Sequence, residues 1–522
     1  MKYLLILLFF SFIIPPEERV DLIIKNGKIL DGTGNSWYYG DVAVKDGTIV
    51  KIGRLNGMLA AKEIDAAGMF VSPGFIDVHT HIEGDEMESP GAENFIYDGV
   101  TSVVTGNCGL SIVDLKTYFS KLDSVRLSVN VAALIGHNGV RTEVMGTANR
   151  DPTAEELARM KGLVAQAMKD GAVGFSTGLI YIPGTYSKTS EVVELAKVSA
   201  GFNGVYASHI RDEGDSVVFA INEAILVGKE AKMPVEISHF KVSGQQNWGR
   251  SDETLAMVAK AREEGIDVTI DQYPYTASST SLSTLLPEWV LADGQDSIMK
   301  RLEQPAIKKQ VKNYMLGKLS RRKLKHFSFP VVASFKADST FNGKSIEEIN
   351  RIKGRKHKAD AEAETIIEMM QQGGAGMVFH GMSEDDVKKI LKYPFNMFAS
   401  DASIRIFNKG VPHPRGYGTN ARVLAKYVRD EKIISLEEAV RRMTSLPADK
   451  FNLKKRGLLK EGFAADILVF NDKEVQDLST FAKPHQYTVG FKYVIVNGKV
   501  TLANGTHTTV RNGQVLKGEA AD

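Results

Sequence analysis

Two histidines separated by one residue, His79 and His81, follow the short apolar run from Phe75 to Val78. Such a run is typical of a buried parallel strand. Because side chains alternate along a strand, both imidazoles are expected on the same side of its end. Imidazole is a common ligand of zinc and similar divalent ions. The pair is therefore half of a candidate metal site, although two histidines in a polar turn have the same spacing.

Further residues of types that can bind metals follow other strand-like runs, namely Cys108, His137, His209, His239 and Asp401. Thiolate, imidazole and carboxylate are the ligands that zinc favours. They are too many for one tetrahedral ion and suit two adjacent sites. Two such ions, roughly 3.5–4 Å apart, can polarise a carbonyl oxygen and lower the pKa of a bound water to near 7. Asp401 is then a candidate to take the proton of that water and pass it to a leaving nitrogen.

Each of these residues also has a structural interpretation. Cys108 can be a small buried hydrophobic residue, although its Gly and Asn neighbours favour a loop. His209 and His239, each taken alone, can form ordinary structural hydrogen bonds. Asp401 can cap the N-terminus of a helix. For His137 a structural or cavity-lining role is expected.

The middle of the chain alternates strand-like and helical segments. Eight runs have strand character: 75–78, 102–105, 130–135, 173–176, 204–208, 235–238, 267–271 and 395–399. Helical patterns separate several of them: 154–170, 189–200, 216–231 and 251–264. This number and order predict an α/β fold of the (β/α)₈ TIM-barrel type, whose catalytic residues lie at the carboxyl ends of the strands.

Both ends of the chain are rich in short β runs with glycine turns. We expect residues 19–70 and 456–522 to form one small β-sandwich domain, and residues 71–455 to form the barrel. The segment 287–373 breaks the alternation before the last strand, and it is expected to be a helical insertion that can act as a lid.

Composition narrows the function further. The chain has 522 residues, a formal net charge of +2 and one cysteine. An internal disulfide is therefore excluded. No long Lys/Arg cluster is interleaved with aromatic residues, and the basic patch at 321–325 is expected to be a solvated helix end, so nucleic acid is not expected as a partner. Residues 1–18 contain an apolar run, Tyr3 to Ile14, with the length of a signal-peptide core but too short to span a membrane. Periplasmic or secreted export is expected; a cytoplasmic protein with a mis-assigned start is the alternative.

The motifs taken together resemble the amidohydrolase superfamily and, within it, the N-acyl-D-amino-acid deacylases, or D-aminoacylases. The resemblance runs from about residue 20 to 500. It rests on Pro73-Gly74-Phe75-Ile76-Asp77-Val78-His79-Thr80-His81, Gly106-Asn107-Cys108-Gly109, Gly174-Phe175-Ser176-Thr177-Gly178-Leu179, Ser208-His209-Ile210-Arg211, Ser238-His239-Phe240-Lys241, Asp271-Gln272-Tyr273-Pro274-Tyr275, Ser400-Asp401 and His413-Pro414-Arg415-Gly416-Tyr417-Gly418-Thr419.

The resemblance implies how the ligands are shared. Cys108, His209 and His239 would hold one tightly bound Zn²⁺. A second, weaker metal site is implied at His79, His81 and Asp401, with Cys108 as a bridge. Related hydantoinases often carry a carbamylated lysine after the fourth strand, where this chain has Ser176 and Thr177, so the thiolate would supply the bridging charge.

The implied reaction is zinc-dependent hydrolysis of an N-acyl-D-amino acid to a carboxylate and a free D-amino acid. Arg415 is the candidate partner of the substrate carboxylate, with Lys241 and Tyr275 as further contacts; a surface ion pair is the alternative for Arg415. The segment 278–290 offers no second cation, which favours a neutral side chain. A cyclic amidase, a D-dipeptidase and a non-catalytic dihydropyrimidinase-like scaffold remain the alternatives. The oligomeric state is not predicted.

Overall fold

The architecture is that of a computed structural model, which describes residues 19–519. The predicted signal segment, residues 1–18, lies outside this range. Eight parallel strands form one sheet in sequential order. We number them β1 to β8: Phe75–Asp77, Val100–Thr105, Asn130–Gly136, Gly174–Gly178, Val205–His209, Val235–Ile237, Val268–Gln272 and Asn396–Phe398. The fold class predicted from the sequence is confirmed.

The sheet closes between its first and last strands. A parallel bridge joins Thr80 to Ala402, and the amide of Asp401 donates to the carbonyl of His79 at 2.9 Å. Residues that follow β1 and β8 are thereby brought side by side. The barrel therefore closes at the point where two sets of candidate ligands meet.

The strands have two apolar faces, as expected for a barrel covered by helices. In β3, Val131, Ala133 and Ile135 belong to the large cluster shared with the surrounding helices. Ala132 and Leu134 belong to a separate cluster with residues of β1, β2, β5 and β8. Alternate residues thus pack on opposite faces of the same strand.

The helices of the barrel follow their strands in turn. They are Glu93–Tyr97, Leu115–Val125, His137–Met145, Ala154–Asp170, Thr189–Ala200, Val217–Ala231, Ser251–Glu263, Glu384–Leu391, Arg415–Arg422, Leu436–Met443 and Ser445–Lys450, with a π-helical turn at Val423–Asp430. The helix Ala154–Asp170 begins in a capping box formed by Thr153 and Glu156 and ends at Gly171, whose φ is 118°. These local signals explain why its predicted bounds agree with the structure.

Strands from both ends of the chain share one nine-stranded sheet. The N-terminal strands are Arg19–Ile29, Tyr38–Lys45, Thr48–Gly53, Leu59–Asp65 and Phe70–Pro73; the C-terminal strands are Ile467–Phe470, Phe491–Val496, Lys499–Ala503 and Thr506–His507. The contact between the two groups is an antiparallel pairing of Phe70–Pro73 with Ile467–Phe470. The chain leaves this sheet at Pro73 and enters β1 two residues later.

The long segment between β7 and β8 has its own core. It contains the helices Gln295–Glu303, Pro305–Arg321, Ile346–Ile352 and Ala359–Gln371. It also contains a three-stranded antiparallel sheet that was not predicted: Ala277–Ser281, Pro330–Ser334 and Gly376–His380. These strands are short and far apart in the sequence, so no local hairpin signal marks them.

Candidate metal centre

The Cys108 thiol lies at the centre of the site. Its Sγ is 3.3 Å from Nε2 of His79, 3.5 Å from Nδ1 of His209 and 3.6 Å from Nε2 of His239. All four residues are buried. Three imidazoles, each at the end of a different strand, therefore converge on the sulfur atom of Cys108, which follows β2.

Asp401 and His81 extend this cluster towards the closing seam of the barrel. Oδ1 of Asp401 is 3.3 Å from Nε2 of His81 and 3.7 Å from Nε2 of His79. In this cluster, three sets of residues each have their potential ligand atoms within 4.8 Å of one another: His79, His81 and Cys108; Cys108, His209 and His239; and His79, His239 and Asp401. Because Cys108 belongs to two sets, the arrangement suits two neighbouring ions that share the thiolate.

The hydrogen bonds around the ligands fit a metal centre. Nδ1 of His79 lies 3.2 Å from Oδ2 of buried Asp271, which directs Nε2 towards Cys108. A carboxylate behind the imidazole is the usual support of a metal-binding histidine. Nε2 of His209 is buried without a hydrogen-bond partner among residues 19–519, while Nδ1 faces the sulfur atom. The donor set and its supports therefore fit zinc.

Burial sets the charge of the ligands. Desolvation, reinforced by the charge of Asp401, raises the pKa of the Cys108 thiol well above its usual value. A bound divalent cation is the charge that can offset this and stabilise the thiolate. Desolvation also lowers the pKa of His209 to about 4 and holds the pKa of His239 well below its usual value. Both imidazoles are neutral at pH 7 and have a lone pair to offer.

Three of the candidate ligands adopt a left-handed backbone conformation that L-residues rarely visit. The φ angles are 54° for Cys108, 37° for His239 and 48° for Asp401. The surrounding chain fixes them: Oδ1 of Asp271 accepts the amide of His239 at 2.8 Å, and the carbonyl of His79 accepts the amide of Asp401. Strained conformations of this kind persist where neighbouring contacts hold them, and they occur often at functional sites.

Asp401 is partly buried and ionised. Burial opposes its ionisation, but the charge of Arg415 outweighs this and holds the pKa of Asp401 well below its usual value. Nη1 of Arg415 lies 2.8 Å from Oδ2. The other oxygen faces His81, so Asp401 presents a carboxylate that can accept a proton beside the metal ligands.

Two cavities meet at this cluster. One, of about 460 Å³, is lined by His209, His239, Lys241 and Tyr273, and by residues of the insertion. The other, of about 930 Å³, is lined by His81, Cys108, Arg405 and Arg415. Tyr181 and Asp401 line both. A substrate with groups on both sides of a scissile bond can therefore reach the cluster with one group in each cavity.

Comparison with known proteins gives a consistent result. The family model "Amidohydrolase family" matches residues 62–209 and 339–502. The N-acyl-D-glutamate deacylase of Alcaligenes xylosoxydans xylosoxydans is 34% identical over 97% of this chain and 98% of its own length. The chain belongs to the amidohydrolase family.

Solved structures agree with this assignment and confirm the resemblance to the deacylases. The N-acyl-D-glutamate deacylase of Bordetella bronchiseptica, complexed with zinc and a phosphonate inhibitor, is 34% identical over 96% of this chain and all of its own, with a TM-score of 0.81. A D-aminoacylase with a binuclear metal centre is 33% identical over 95% of this chain and all of its own, also with a TM-score of 0.81.

Two of the three predicted substrate contacts line the cavities of this amidohydrolase. Arg415 is in the larger cavity and stacks on the ring of Tyr273 at 4.4 Å. Lys241 is in the smaller one, where its Nζ donates to Glu213 at 2.5 Å and lies 2.7 Å from Nδ1 of His239. Tyr275 lines neither cavity; its ring packs against His413 and Phe481. Tyr273 takes the position expected for Tyr275. β7 ends at Gln272, and the amide of Tyr275 donates to the carbonyl of Tyr273 at 2.9 Å, so the chain turns here and the two rings do not share a side as they would in a strand.

Several residues of the amidohydrolase site were not found from the sequence. Asp271 supports His79, Glu213 contacts Lys241 and His239, and Tyr181 lines both cavities. Asp271 is the last but one residue of β7, a position that could have signalled a site residue. Glu213 and Tyr181 lie in loops, and nothing in their local sequence separates them from ordinary surface residues.

His137, by contrast, has a structural role. It is buried, with Nε2 2.8 Å from Glu191, and Arg141 pairs with the same carboxylate. It lines neither cavity.

Proposed function

We propose that this protein is a zinc-dependent deacylase of N-acyl-D-amino acids. The observation that carries the proposal is the position of the Cys108 thiol. It belongs to two sets of candidate metal ligands and lies beside the ionised Asp401. The relatives named N-acyl-D-glutamate deacylase, D-aminoacylase and N-acyl-D-aspartate deacylase support the substrate class, since each matches at least 95% of this chain.

Cys108, His209 and His239 would hold the tightly bound zinc, and His79, His81 and Asp401 would hold a second, weaker ion with Cys108. The metal supplies Lewis acidity, which polarises the amide carbonyl and lowers the pKa of water. The chain itself excludes bulk water from Cys108. Burial also lowers the pKa values of His209 and His239, so their imidazoles stay neutral.

Asp401 would move the proton. Its Oδ1 is on the side of His81 and His79, while Oδ2 is held by Arg415. The carboxylate can accept a proton from the attacking water and then donate it to the amide nitrogen, which leaves as an amine. The lowered pKa of Asp401 keeps it in the basic form at the start of each turnover.

Arg415 would orient the substrate through its α-carboxylate. Nε of its guanidinium is buried without a hydrogen-bond partner within residues 19–519. A carboxylate that approaches from the larger cavity can use this donor and form the bidentate contact that suits arginine. Lys241 would be a further contact from the smaller cavity, on the side of the scissile amide.

The test is release of free amine from matched N-acetyl-D- and N-acetyl-L-amino acids by the purified, zinc-loaded protein. Activity confined to the D series is expected. Equal activity on both series, or activity on the L series alone, contradicts the proposal. Hydantoins and D-dipeptides in the same panel address the cyclic amidase and the D-dipeptidase, and a purified protein that binds no zinc would support the scaffold alternative.

We also propose export of the protein to the periplasm or medium, which the apolar run from Tyr3 to Ile14 supports. Fractionation of cells that produce the full chain, followed by N-terminal sequencing, tests this. Intact protein confined to the cytoplasm would contradict it. No helix within residues 19–519 is long and apolar enough to cross a membrane.

A further inference from the structure

Arg405 is a second guanidinium in the wall of the larger cavity. It lies in the loop after β8, four residues beyond Asp401, and lines the cavity together with Arg415 and Ser403. Its Nε lies close to the backbone of Gly416: a Cβ added to Gly416 would be only 2.8 Å from this nitrogen. The side chain is therefore packed next to Arg415.

No acidic group neutralises Arg405 at close range. Within residues 19–519, no carboxylate oxygen lies within 4.0 Å of its guanidinium, and its buried Nε has no hydrogen-bond partner. Burial, with the charge of Arg415, lowers the pKa of Arg405. Arg405 is partly exposed, but its Nε donor is buried and unpaired. A buried donor of a charged group without a partner is costly, and an anion in the cavity would offset that cost.

The acidic groups around the cavity are engaged elsewhere. Asp401 is held by Arg415, Glu83 accepts a hydrogen bond from Thr105 at 2.7 Å, and Asp114 caps a helix. Glu143 is exposed on the outer part of the lining. Asp85 is near enough to influence Arg405 electrostatically but does not form an ion pair with it. The guanidinium of Arg405 remains available to an anion that enters the cavity.

We propose that Arg405 binds a second carboxylate of the substrate, on the side chain of the D-amino acid, so that the preferred substrates are N-acyl derivatives of acidic D-amino acids. The inference rests on the proposed function, in which Arg415 holds the α-carboxylate in the same cavity. Two adjacent guanidinium groups match two carboxylates separated by a short carbon chain. The sequence of segment 278–290 led us to expect a substrate with a neutral side chain. The proposal replaces that expectation, because the second cation comes from the loop after β8.

The test compares two substrates of nearly equal shape, N-acetyl-D-glutamate and N-acetyl-D-glutamine. The zinc-loaded wild type is expected to prefer glutamate by about tenfold or more in kcat/KM, as a charge-assisted hydrogen bond predicts. Arg405→Gln should reduce this ratio to near one. Arg405→Lys, which keeps the charge but loses the planar fork, should give an intermediate ratio.

Lys409→Gln is the matched control, since Lys409 is in the same loop but is exposed and pairs with Glu88; its ratio should equal that of the wild type. Zinc content and the thermal midpoint of each variant report on folding. If Arg405→Gln does not fold, the glutamate preference of the wild type and its reduction in Arg405→Lys still test the inference. A wild type that hydrolyses the glutamine derivative as well as the glutamate derivative overturns the inference.

The position of the second carboxylate is tested separately with N-succinyl-D-leucine and N-acetyl-D-leucine. Equal rates on these two, with the preference for glutamate, support a site on the side-chain side. A preference for the succinyl compound alone overturns the inference as stated. Failure of the proposed function is distinct from all of these outcomes, because then no N-acyl-D-amino acid in the panel is hydrolysed.

Discussion

The two carboxylate oxygens of Asp401 have different partners. Oδ2 is fixed by Arg415 and Oδ1 faces the histidines that follow β1. In the proposed mechanism, proton transfer depends on the charge of the Asp401 carboxylate, whereas the zinc site proposed at Cys108, His209 and His239 does not include Asp401.

Asp401→Asn is expected to lower kcat by about 10²–10⁴-fold while the tightly bound zinc is retained, because an amide cannot accept the proton. Steady-state kinetics and metal analysis of the same preparation measure both quantities. Asp430→Asn is a matched control, since Asp430 is exposed and pairs with Arg429. Near-normal turnover of the Asp401→Asn variant would rule out the proton-transfer role.

His209 makes the metal-free protein sensitive to acid. The unfolded chain takes up this proton near pH 6.5, but the folded protein does so only at about pH 4 because the imidazole is buried. Unfolding therefore binds a proton between these values, and the contribution of the neutral imidazole, complete above about pH 6.5, is lost as pH falls towards 4. Zinc-free wild type should lose about 2 kcal/mol of unfolding free energy relative to His209→Asn between about pH 7.5 and pH 5.

Urea unfolding of both proteins in the presence of a chelator measures this difference. The comparison cancels groups that titrate identically in the two proteins, and His239 is present in both. A difference that stays constant over this pH range would show that the buried imidazole does not have the lowered pKa.

The clustering of the candidate metal ligands could be predicted at the residue scale, because each one lies at or after a strand end that is visible in the sequence. Asp401 and Cys108 needed no contact information, since the barrel topology alone places them together. Glu213 and Arg405 could not be predicted in this way. Their roles depend on which neighbours leave them unpaired or engaged, and that is decided by the packing of loops.

At the scale of elements, the turn after β2 carries Cys108 into the site. Gly106 has a φ of 78°, and a Cβ on it would lie 2.2 Å from the carbonyl oxygen of Leu134 in β3. No side chain fits there without movement of one of the two strands. Gly106 therefore allows the close approach that sets the height of the thiol above the barrel.

Gly106→Ala is expected to lower both the unfolding free energy, by more than about 2 kcal/mol, and the affinity for zinc, since strain and clash act together. Gly57→Ala is the matched control: Gly57 has nearly the same φ, 81°, with nothing within 4 Å of a Cβ. The control should lose only about 1 kcal/mol. Chemical denaturation and zinc titration measure both; equal losses in the two variants would contradict the role of the close approach.

The elements of the barrel were predicted well, and those of the insertion were not. Apolar runs, capping residues and glycine stops mark the barrel strands and the helix Ala154–Asp170 locally. The sheet inside the insertion pairs Ala277–Ser281 with Gly376–His380, and the first of these strands is largely serine and threonine. Its pairing is set by partners almost a hundred residues away rather than by its own pattern.

At the scale of the whole molecule, the end of the chain supports the barrel at the face opposite the site. Val515 forms a parallel bridge with Val131 at the start of β3, and the amides of Gly513 and Leu516 donate to the carbonyls of Leu127 and Val131. The metal ligands lie beyond the other ends of the strands. Stability and catalysis are therefore separated along the barrel axis.

Removal of residues 511–522 is expected to lower the unfolding free energy by about 3 kcal/mol, from several lost hydrogen bonds and the lost burial of Leu516. Turnover per bound zinc below the melting range should change by less than about twofold, because no ligand is touched. Thermal denaturation and kinetics check the two parts. An unchanged midpoint would show that the terminal segment does not support the barrel.

The sheet shared by both ends of the chain has a consequence for biosynthesis. Phe70–Pro73 is made early, but the strand that covers its edge, Ile467–Phe470, leaves the ribosome roughly four hundred residues later. At a synthesis rate of about 5–20 residues per second, this strand edge remains unpaired for roughly 20–80 s. An apolar edge exposed for so long can pair with other nascent chains, so the yield of this protein in cells should depend on chaperones that hold the first seventy residues until synthesis ends.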